Sequence, residues 1–468
     1  MAYLSTRKSF LGSLGLVAGC SVLGPRFSSE PDVRFGVLSD VHLKTPGDED
    51  TLVAAFTYFR DNGADGVIIA GDIADTGRIS ELKRCVDAFN LVFPGGKRPD
   101  GGKVEKLFVY GNHDFWGCHW NKKHNPEEAR RDGIGWDEKT PARVWEEVVG
   151  EPYSDFWIKN IKGFTFVGAH WTKSDQFDGL GDFLKAHAKE IDPSKPFFYT
   201  QHSHPKDTCI GPWAWGRDNG ASTNALSLYP NAVAFSGHSH YPLTDERSVW
   251  QGAFTSINTA SLRYCSHDYS LRENIDGNGH GFRNENRKHL MDNLETGDSR
   301  HGMLVSVYGN NLVIERRDFA SGTSLGDDWV ISVPCREDMS FAARAAKRSA
   351  PQFAEDAKLS LKRDGKLITL SFPRAKTVKK CRVFEYEVTA TLLEDEVDLV
   401  QVQRRVFDPL FYKAEGASDV FASCVLSLAE LPIKGNTVFS VRPIDCFGLK
   451  GKALTASFST ADSIKFHS

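Results

Sequence analysis

Gly111-Asn112-His113-Asp114 constrains this chain more than any other stretch. The apolar, β-prone run Leu107-Phe108-Val109-Tyr110 leads into it, and Phe115 and Trp116 follow. That pattern predicts a buried strand ending at a tight turn, with a carboxamide, an imidazole and a carboxylate at its C-terminal end. In open α/β sheets that end is where ligands bind. Four more stretches share the grammar. Val33 to Ser39 runs into Asp40-Val41-His42, and Gly66 to Ala70 runs into Gly71-Asp72. Pro196 to Gln201 runs into His202, and Ala232 to Ser236 runs into Gly237-His238-Ser239-His240. Apolar runs that each deliver Asp, Asn or His point to a metal centre. Carboxylate, carboxamide and imidazole ligands suit Fe, Mn or Zn, and a set without Cys disfavours structural zinc.

Asp-x-His, Gly-Asp, Gly-Asn-His-Asp, a lone His and Gly-His-x-His follow one another from Asp40 to His240. In that order they resemble the calcineurin-like metallophosphoesterase superfamily. The resemblance implies a four-layer αββα sandwich holding two divalent or trivalent metal ions (Mn, Fe or Zn). It implies that Asp40, His42, Asp72 and His240 hold one metal, and that Asp72, Asn112, His202 and His238 hold the other. A carboxylate bridging at Asp72 suits two cations about 3.5 to 4 Å apart. His113 is then expected to face substrate as a general acid, with Asp114 fixing its tautomer. His204, two residues beyond His202, is expected to stand behind the ligands or at the rim. Gly71-Asp72-Ile73-Ala74-Asp75 lacks the tyrosine of purple acid phosphatases, so no tyrosinate-iron site is expected. Thr76 stands where protein phosphatases carry arginine, which disfavours phosphoprotein substrates. The remaining pattern is most similar to the cyclic-nucleotide and general phosphodiesterase branches.

The 468 residues are enough for more than one domain. A formal net charge of -4 gives no bulk attraction for nucleic acid. The nine cysteines contain no CxxC pair, so neither a zinc ribbon nor a thioredoxin-like site is expected. Cys85, Cys118, Cys209 and Cys265 read as buried thiols. Cys381, Cys424 and Cys446 leave room for a disulfide.

Residues 1–30 read as a targeting segment and linker. Arg7-Lys8 precedes an apolar stretch, Phe10 to Gly19, too short for the roughly 20 apolar residues of a bilayer span. Val17-Ala18-Gly19-Cys20 resembles a bacterial lipobox, implying cleavage before Cys20, lipidation of its thiol and residence in the cell envelope. The alternative is an ordinary secretory signal in which Cys20 is incidental.

The first domain is expected over residues 31–340. Asp48 to Asp61 has helical spacing between the strands that deliver Asp40 and Asp72, which makes a βαβ unit. Ile79 to Phe93 and Asp182 to Ile191 read as further helices. The polar stretch from Cys118 to Lys139, with His119 and His124, reads as rim. So does Ile210 to Ala221, whose Trp213 and Trp215 either stack on substrate or pack on the sheet. His267, His280 and His289 lack mutual ligand spacing. Met303 to Phe319 reads as a hairpin around Gly309-Asn310-Asn311. From 355 to 468, short alternating runs such as Leu367 to Phe372 and Val383 to Leu392 predict a small all-β sandwich. Phe439-Ser440-Val441-Arg442-Pro443 resembles a late strand of a fibronectin type III-like module. No catalytic motif lies there, so an accessory role in docking glycan or protein is expected.

Two functions compete. One is a metal-dependent hydrolase of a small phosphomonoester or phosphodiester. The other is a lipid-anchored binding protein with a vestigial metal site, docking through its β-sandwich. The presence of every expected ligand favours the first.

Overall fold

The computed structural model describes residues 30–459 except 116–122, 124, 173–175, 211–213, 217, 268–293, 297, 336–340, 377–381, 395–396, 415–419, 430 and 432–435. The lipobox, Cys118, His119, His124, Trp213, His280, His289 and Cys381 therefore lie outside the described residues. Residues 31–468 group as one compact unit.

Two sheets face each other at its centre. The first contains β1 (Val33–Leu38), β2 (Gly66–Ala70), β3 (Glu105–Val109), β12 (His301–Tyr308), β13 (Asn311–Asp318), β14 (Thr323–Ser324) and β15 (Trp329–Ser332). Its order is β14-β13-β12-β1-β2-β3, with β15 also pairing β13. The second contains β4 (Phe156–Ile161), β5 (Phe164–Ala169), β6 (Phe197–Thr200), β7 (Ala232–Ser236), β8 (Val249–Gln251) and β9 (Thr255–Asn258), in the order β4-β5-β6-β7-β9-β8. A separate pair, β10 (Cys265–His267) and β11 (Leu294–Thr296), lies beyond them.

Strands β1, β2 and β3 are mutually parallel, as are β5, β6, β7 and β9. Parallel strands covered on both faces read as unbroken apolar runs, and β2 shows why. Val67 and Ile69 pack under the helices α1 (Glu49–Asp61) and α2 (Ile79–Val92), while Ile68 and Ala70 point between the sheets. Phe35 occupies the middle layer, with ring centroids 5.1, 4.8 and 5.8 Å from Phe166, Phe198 and Phe235 of the opposite sheet. Helices Leu180–Ala186 and Ala221–Leu226 cover the outer face of the second sheet through Leu180, Leu184 and Leu226. The four layers are helix, sheet, sheet, helix. The hairpin at β12 and β13 turns through Gly309 and Asn310, with Tyr308 opposite Asn311.

Two further antiparallel sheets follow. One is β16 (Ser360–Asp364), β17 (Leu367–Pro373) and β20 (Phe421–Ser427), in the order β16-β17-β20. The other is β18 (Val383–Glu394), β19 (Val397–Phe407), β21 (Asn436–Asp445) and β22 (Leu454–Ser459), in the order β19-β18-β21-β22. They share a core of their own, including Ile368, Phe372, Tyr386, Val388 and Val441. Cys424 belongs to that core, whereas Cys446 packs with Phe384, Phe407, Phe411 and Phe447.

The segment joining the two regions is pinned to both. In helix Phe341–Ala346, Arg344 donates to Val249 O (2.8 Å) and to Glu246 Oε2 (2.9 Å), and its guanidinium lies over Phe447. From the other side, Arg247 places its guanidinium 4.6 Å from the Phe384 ring centroid. Among the described residues no helix is long and apolar enough to cross a membrane.

Candidate metal centre

Each parallel strand stops where its chain must turn sharply, and the turn carries the polar side chains. Asp40, His42, Asp72, His238 and His240 all have φ between 46° and 69°. Left-handed backbone is uncommon for non-glycine residues, and such outliers cluster at functional sites. Two glycines let the turns close on each other. A Cβ on Gly111 would sit 2.3 Å from both the backbone nitrogen and Oδ1 of Asp72. On Gly237 it would sit 1.8 Å from Ser39 Oγ and 2.2 Å from Asp40 Oδ2. The glycines before Asn112 and His238 are needed for contact between these blocks.

The structure brings all seven expected ligands to one place. Asp40, His42 and His240 form one group able to hold a cation, and Asp72, His202 and His238 form another. His42, Asp72 and His113 form a third, which overlaps both. Asn112 Oδ1 lies 3.1 Å from His238 Nδ1, which places the carboxamide beside the second group. His42 reaches from its own group, His240 and Asp40, across to Asp72 of the other. His42 Nε2 lies 3.2 Å from His240 Nε2, 3.8 Å from Asp40 Oδ1 and 3.8 Å from Asp72 Oδ2.

The donor atoms fit metal ions. Asp40 Oδ1 is 2.9 Å from His240 Nε2, and Asp72 Oδ2 is 3.1 Å from His202 Nε2. Yet among the described residues neither Asp40 Oδ1 nor His202 Nε2 has a hydrogen-bond partner. Buried polar atoms that converge without bonding each other need a third party.

The electrostatics agree. Burial alone would push Asp40 up, but the charge and proximity of His240 hold its carboxyl well below the usual range. Asp72 is likewise lowered against its burial, chiefly by His202 and His113. Burial works against a charge on His202, yet Asp72 raises it to about 10. His42 also rises to about 10 against its burial, through Asp40 and Asp75. Clustered carboxylates demand positive charge, supplied here by protons on imidazoles that metal ions would displace.

The remaining atoms of these side chains are anchored. Asp40 Oδ2 accepts from Ser39 Oγ (2.5 Å) and from the His238 backbone N–H (2.9 Å). Asp72 Oδ1 accepts from the His113 backbone N–H at 2.8 Å. His202 Nδ1 is held 2.8 Å from the Ala70 carbonyl oxygen. His204 is buried but turned away, with Ser236 Oγ at 2.6 Å and Ser239 Oγ at 3.0 Å.

Asp114 is placed differently from expectation. Among the described residues its carboxylate makes no hydrogen bond to the His113 ring, whose Nδ1 is held by Asp75 O. Asp114 Oδ2 accepts from the Gly111 N–H and its Oδ1 from the Ala74 N–H, both at 2.7 Å. Burial, then the neighbouring Asp72, raises its carboxyl to about 7. Asp114 therefore staples the loop of Asn112 to the loop of Asp72, because unpaired backbone N–H groups in both loops compete successfully for it.

The residue that sequence reasoning missed is Asp75. Its carboxylate Oδ1 lies 3.2 Å from His42 Nδ1, and its Oδ2 pairs with Lys44 at 2.9 Å. Its backbone carbonyl lies 2.9 Å from His113 Nδ1. The only signal was its position three residues after Asp72. At the opposite side, Tyr264 places its ring 4.3 Å from that of His240. Trp215 is buried and donates its indole N–H to Cys209 O at 3.3 Å, so it packs under the rim.

A family model described as Calcineurin-like phosphoesterase matches residues 33–242. No curated protein sequence matches the chain significantly. Among solved structures, the chain is similar to a dimetal phosphatase from Danio rerio, at 13% identity and a TM-score of 0.37, covering 65% of this chain and 99% of that one. It is similar to GAP50, the anchor in the inner membrane complex of Plasmodium, at 13% identity and a TM-score of 0.37, covering 66% and 90%. A predicted phosphoesterase from Streptococcus pneumoniae gives 13% identity and a TM-score of 0.25, covering 64% and 97%.

Proposed function

We propose, from the premise that residues 33–242 form a calcineurin-like metallophosphoesterase domain, that this protein hydrolyses a phosphomonoester or phosphodiester. The observation that carries the reading is the convergence of Asp40, His42 and His240 with Asp72, His202 and His238 beyond the ends of strands β1, β2, β6 and β7. Mn, Fe or Zn in these groups would lower the pKa of a bound water and neutralise phosphoryl oxygens. Asp40, His42, Asp72 and His240 would hold one ion, and Asp72, Asn112, His202 and His238 the other.

The chain's own contribution is positioning and proton transfer. The backbone of Asp75 accepts from His113 Nδ1, so the half-buried imidazole presents Nε2 to the reacting group. Protonated on both nitrogens, the ring gives its Nε2 proton to the leaving oxygen and is left as the neutral imidazole with its proton on Nδ1. The carboxylate of Asp75 lies 3.2 Å from His42 Nδ1 and supports charge on that ring from the side away from His240.

The reading includes export and lipid anchoring through Cys20 in the bacterial cell envelope, which rests on residues 7–20 of the sequence. It also includes a fibronectin type III-like accessory module, supported by three strands facing four over one core. The test is metal analysis of the purified protein, followed by bis- and mono-(p-nitrophenyl) phosphate. Two equivalents of metal and release of nitrophenol from either ester are expected. Folded protein that takes up no metal and releases none would favour the binding-protein reading.

A further inference from the structure

Ser239 stands between two expected ligands, His238 and His240, in a turn that the backbone alone does not favour. His238 and His240 have φ of 69° and 56°, left-handed values that persist only where the surroundings over-determine them. A main-chain bond closes the turn, from the Ser239 N–H to Gly237 O at 2.8 Å. Ser239 is held further by its hydroxyl, and the hydroxyl leads to His204, a buried imidazole that the proposed reaction does not use.

The donors and acceptors around that hydroxyl can be assigned one by one. The Tyr241 carbonyl can only accept and the Ala260 N–H can only donate. Asn258 therefore turns its Nδ2 to Tyr241 O (2.9 Å) and its Oδ1 to Ala260 N (3.1 Å). Asn258 Oδ1 also lies 3.1 Å from Ser239 Oγ, and an amide oxygen can only accept, so Ser239 donates there. That uses the hydroxyl's one proton. His204 Nε2, 3.0 Å from Ser239 Oγ, must then carry the proton of the bond between them. His204 Nδ1 is left as the acceptor, with Ser236 Oγ at 2.6 Å and Cys209 Sγ at 3.4 Å. His204, Ser236, Ser239 and Asn258 are all fully buried, so no solvent competes for these bonds. A buried polar chain with its members satisfied is rigid.

We infer that His204 is a positioning residue for the metal centre, acting through Ser239 to hold the His238–His240 turn in its left-handed form. His204 is not itself among the grouped ligands. It lies two residues beyond His202, so its side chain ties the loop of His202 to the loop of His238 and His240. His238 groups with Asp72 and His202, whereas His240 groups with Asp40 and His42, so one clamp serves both groups. The inference rests on the metal reading of the same site.

The test measures Mn²⁺ binding to the full-length chain by calorimetry. Ser239→Ala removes the clamp, and His204→Leu removes the donor. Each is expected to weaken Mn²⁺ binding by about tenfold to a hundredfold, as loss of a group supporting the ligands does. Two residues that act through one bond lose it only once, so the double variant is expected to bind no more weakly than the weaker single variant. His204→Gln, whose amide N–H can replace that of Nε2, is expected to bind as wild type does. A role in packing alone predicts the reverse, with leucine tolerated at least as well as glutamine. Should His204→Leu fail to fold, the comparison of Ser239→Ala with His204→Gln still decides. Additive losses in the double variant, or equal binding by wild type and Ser239→Ala, overturn the inference and leave the metal reading intact. Folded wild type that takes up no Mn²⁺ overturns both.

Discussion

The carbonyl oxygen of Asp75 lies 2.9 Å from Nδ1 of His113, and a carbonyl can only accept. That contact fixes the proton on Nδ1 and leaves Nε2 for chemistry. His113→Ala is expected to retain both metals and lose on the order of 10² to 10⁴-fold in kcat for an alkyl phosphoester. The nitrophenyl ester, whose leaving group departs without a proton, should lose less. Equal losses on the two esters would remove His113 from the acid role. Loss of a metal would make it a ligand, as its grouping with His42 and Asp72 allows.

Asp72→Asn and Asp114→Asn separate a ligand from a staple. Asp72→Asn should abolish activity and reduce metal content, since its carboxylate faces both groups. Asp114→Asn weakens one bond within the Asn112 loop and one to the Asp72 loop, each worth on the order of 1 kcal/mol. It should lower the melting temperature and loosen metal binding together, with full occupancy recovered at higher metal concentration. Unchanged melting would show that the staple contributes nothing.

Three buried imidazoles make the fold sensitive to acid. Burial pushes His170 and His204 down to about 3 and His301 to about 4. The unfolded chain titrates each near 6.5, so above that pH they have no effect on stability. Below it, the unfolded state takes up protons that the native state refuses. Stability then falls by about 1.4 kcal/mol per pH unit for each histidine, down to the native values. His170 accepts from the Tyr110 N–H, which glutamine can replace. The melting temperature of His170→Gln should decline less steeply than wild type between pH 6.5 and 4.5. Parallel curves would contradict this.

Residues 31–350 hold every candidate ligand, so a chain cut there should still bind metal and hydrolyse a nitrophenyl ester. It should also melt lower than the full chain, because Arg247 loses Phe384 and Arg344 loses Phe447. A folded but metal-free fragment would mean that the β-sandwich supports the site.

Cys20→Ala should release into the soluble fraction a protein that otherwise sediments with membranes. Wild-type protein already found soluble would refute lipid anchoring.

Much of the site was legible because each ligand ends an apolar run, and buried parallel strands leave that pattern in the sequence. Asp40, Asp72, Asn112, His202 and His238 could be placed one strand at a time. Asp75 and Asp114 could not. Their partners, His42 and the Ala74 N–H, lie on other loops, and only the closure of two glycine turns decides which group each carboxylate meets. Strand β20 leaves a weaker trace in the sequence, because its inward positions, Ala422 and Cys424, are small while Phe421 and Val425 face outward. The Arg-aromatic contacts between the two regions follow no local period at all.

The left-handed turns at Asp40, His42, Asp72, His238 and His240 have an evolutionary side. Each holds a side chain where glycine would rest more easily, at roughly 1 kcal/mol or more apiece. A descendant released from binding cations would gain stability by drifting to glycine at these positions. Glycine or asparagine there in a related chain would mark a fold that has traded chemistry for robustness, and retention of Asp and His at all five marks one that has not.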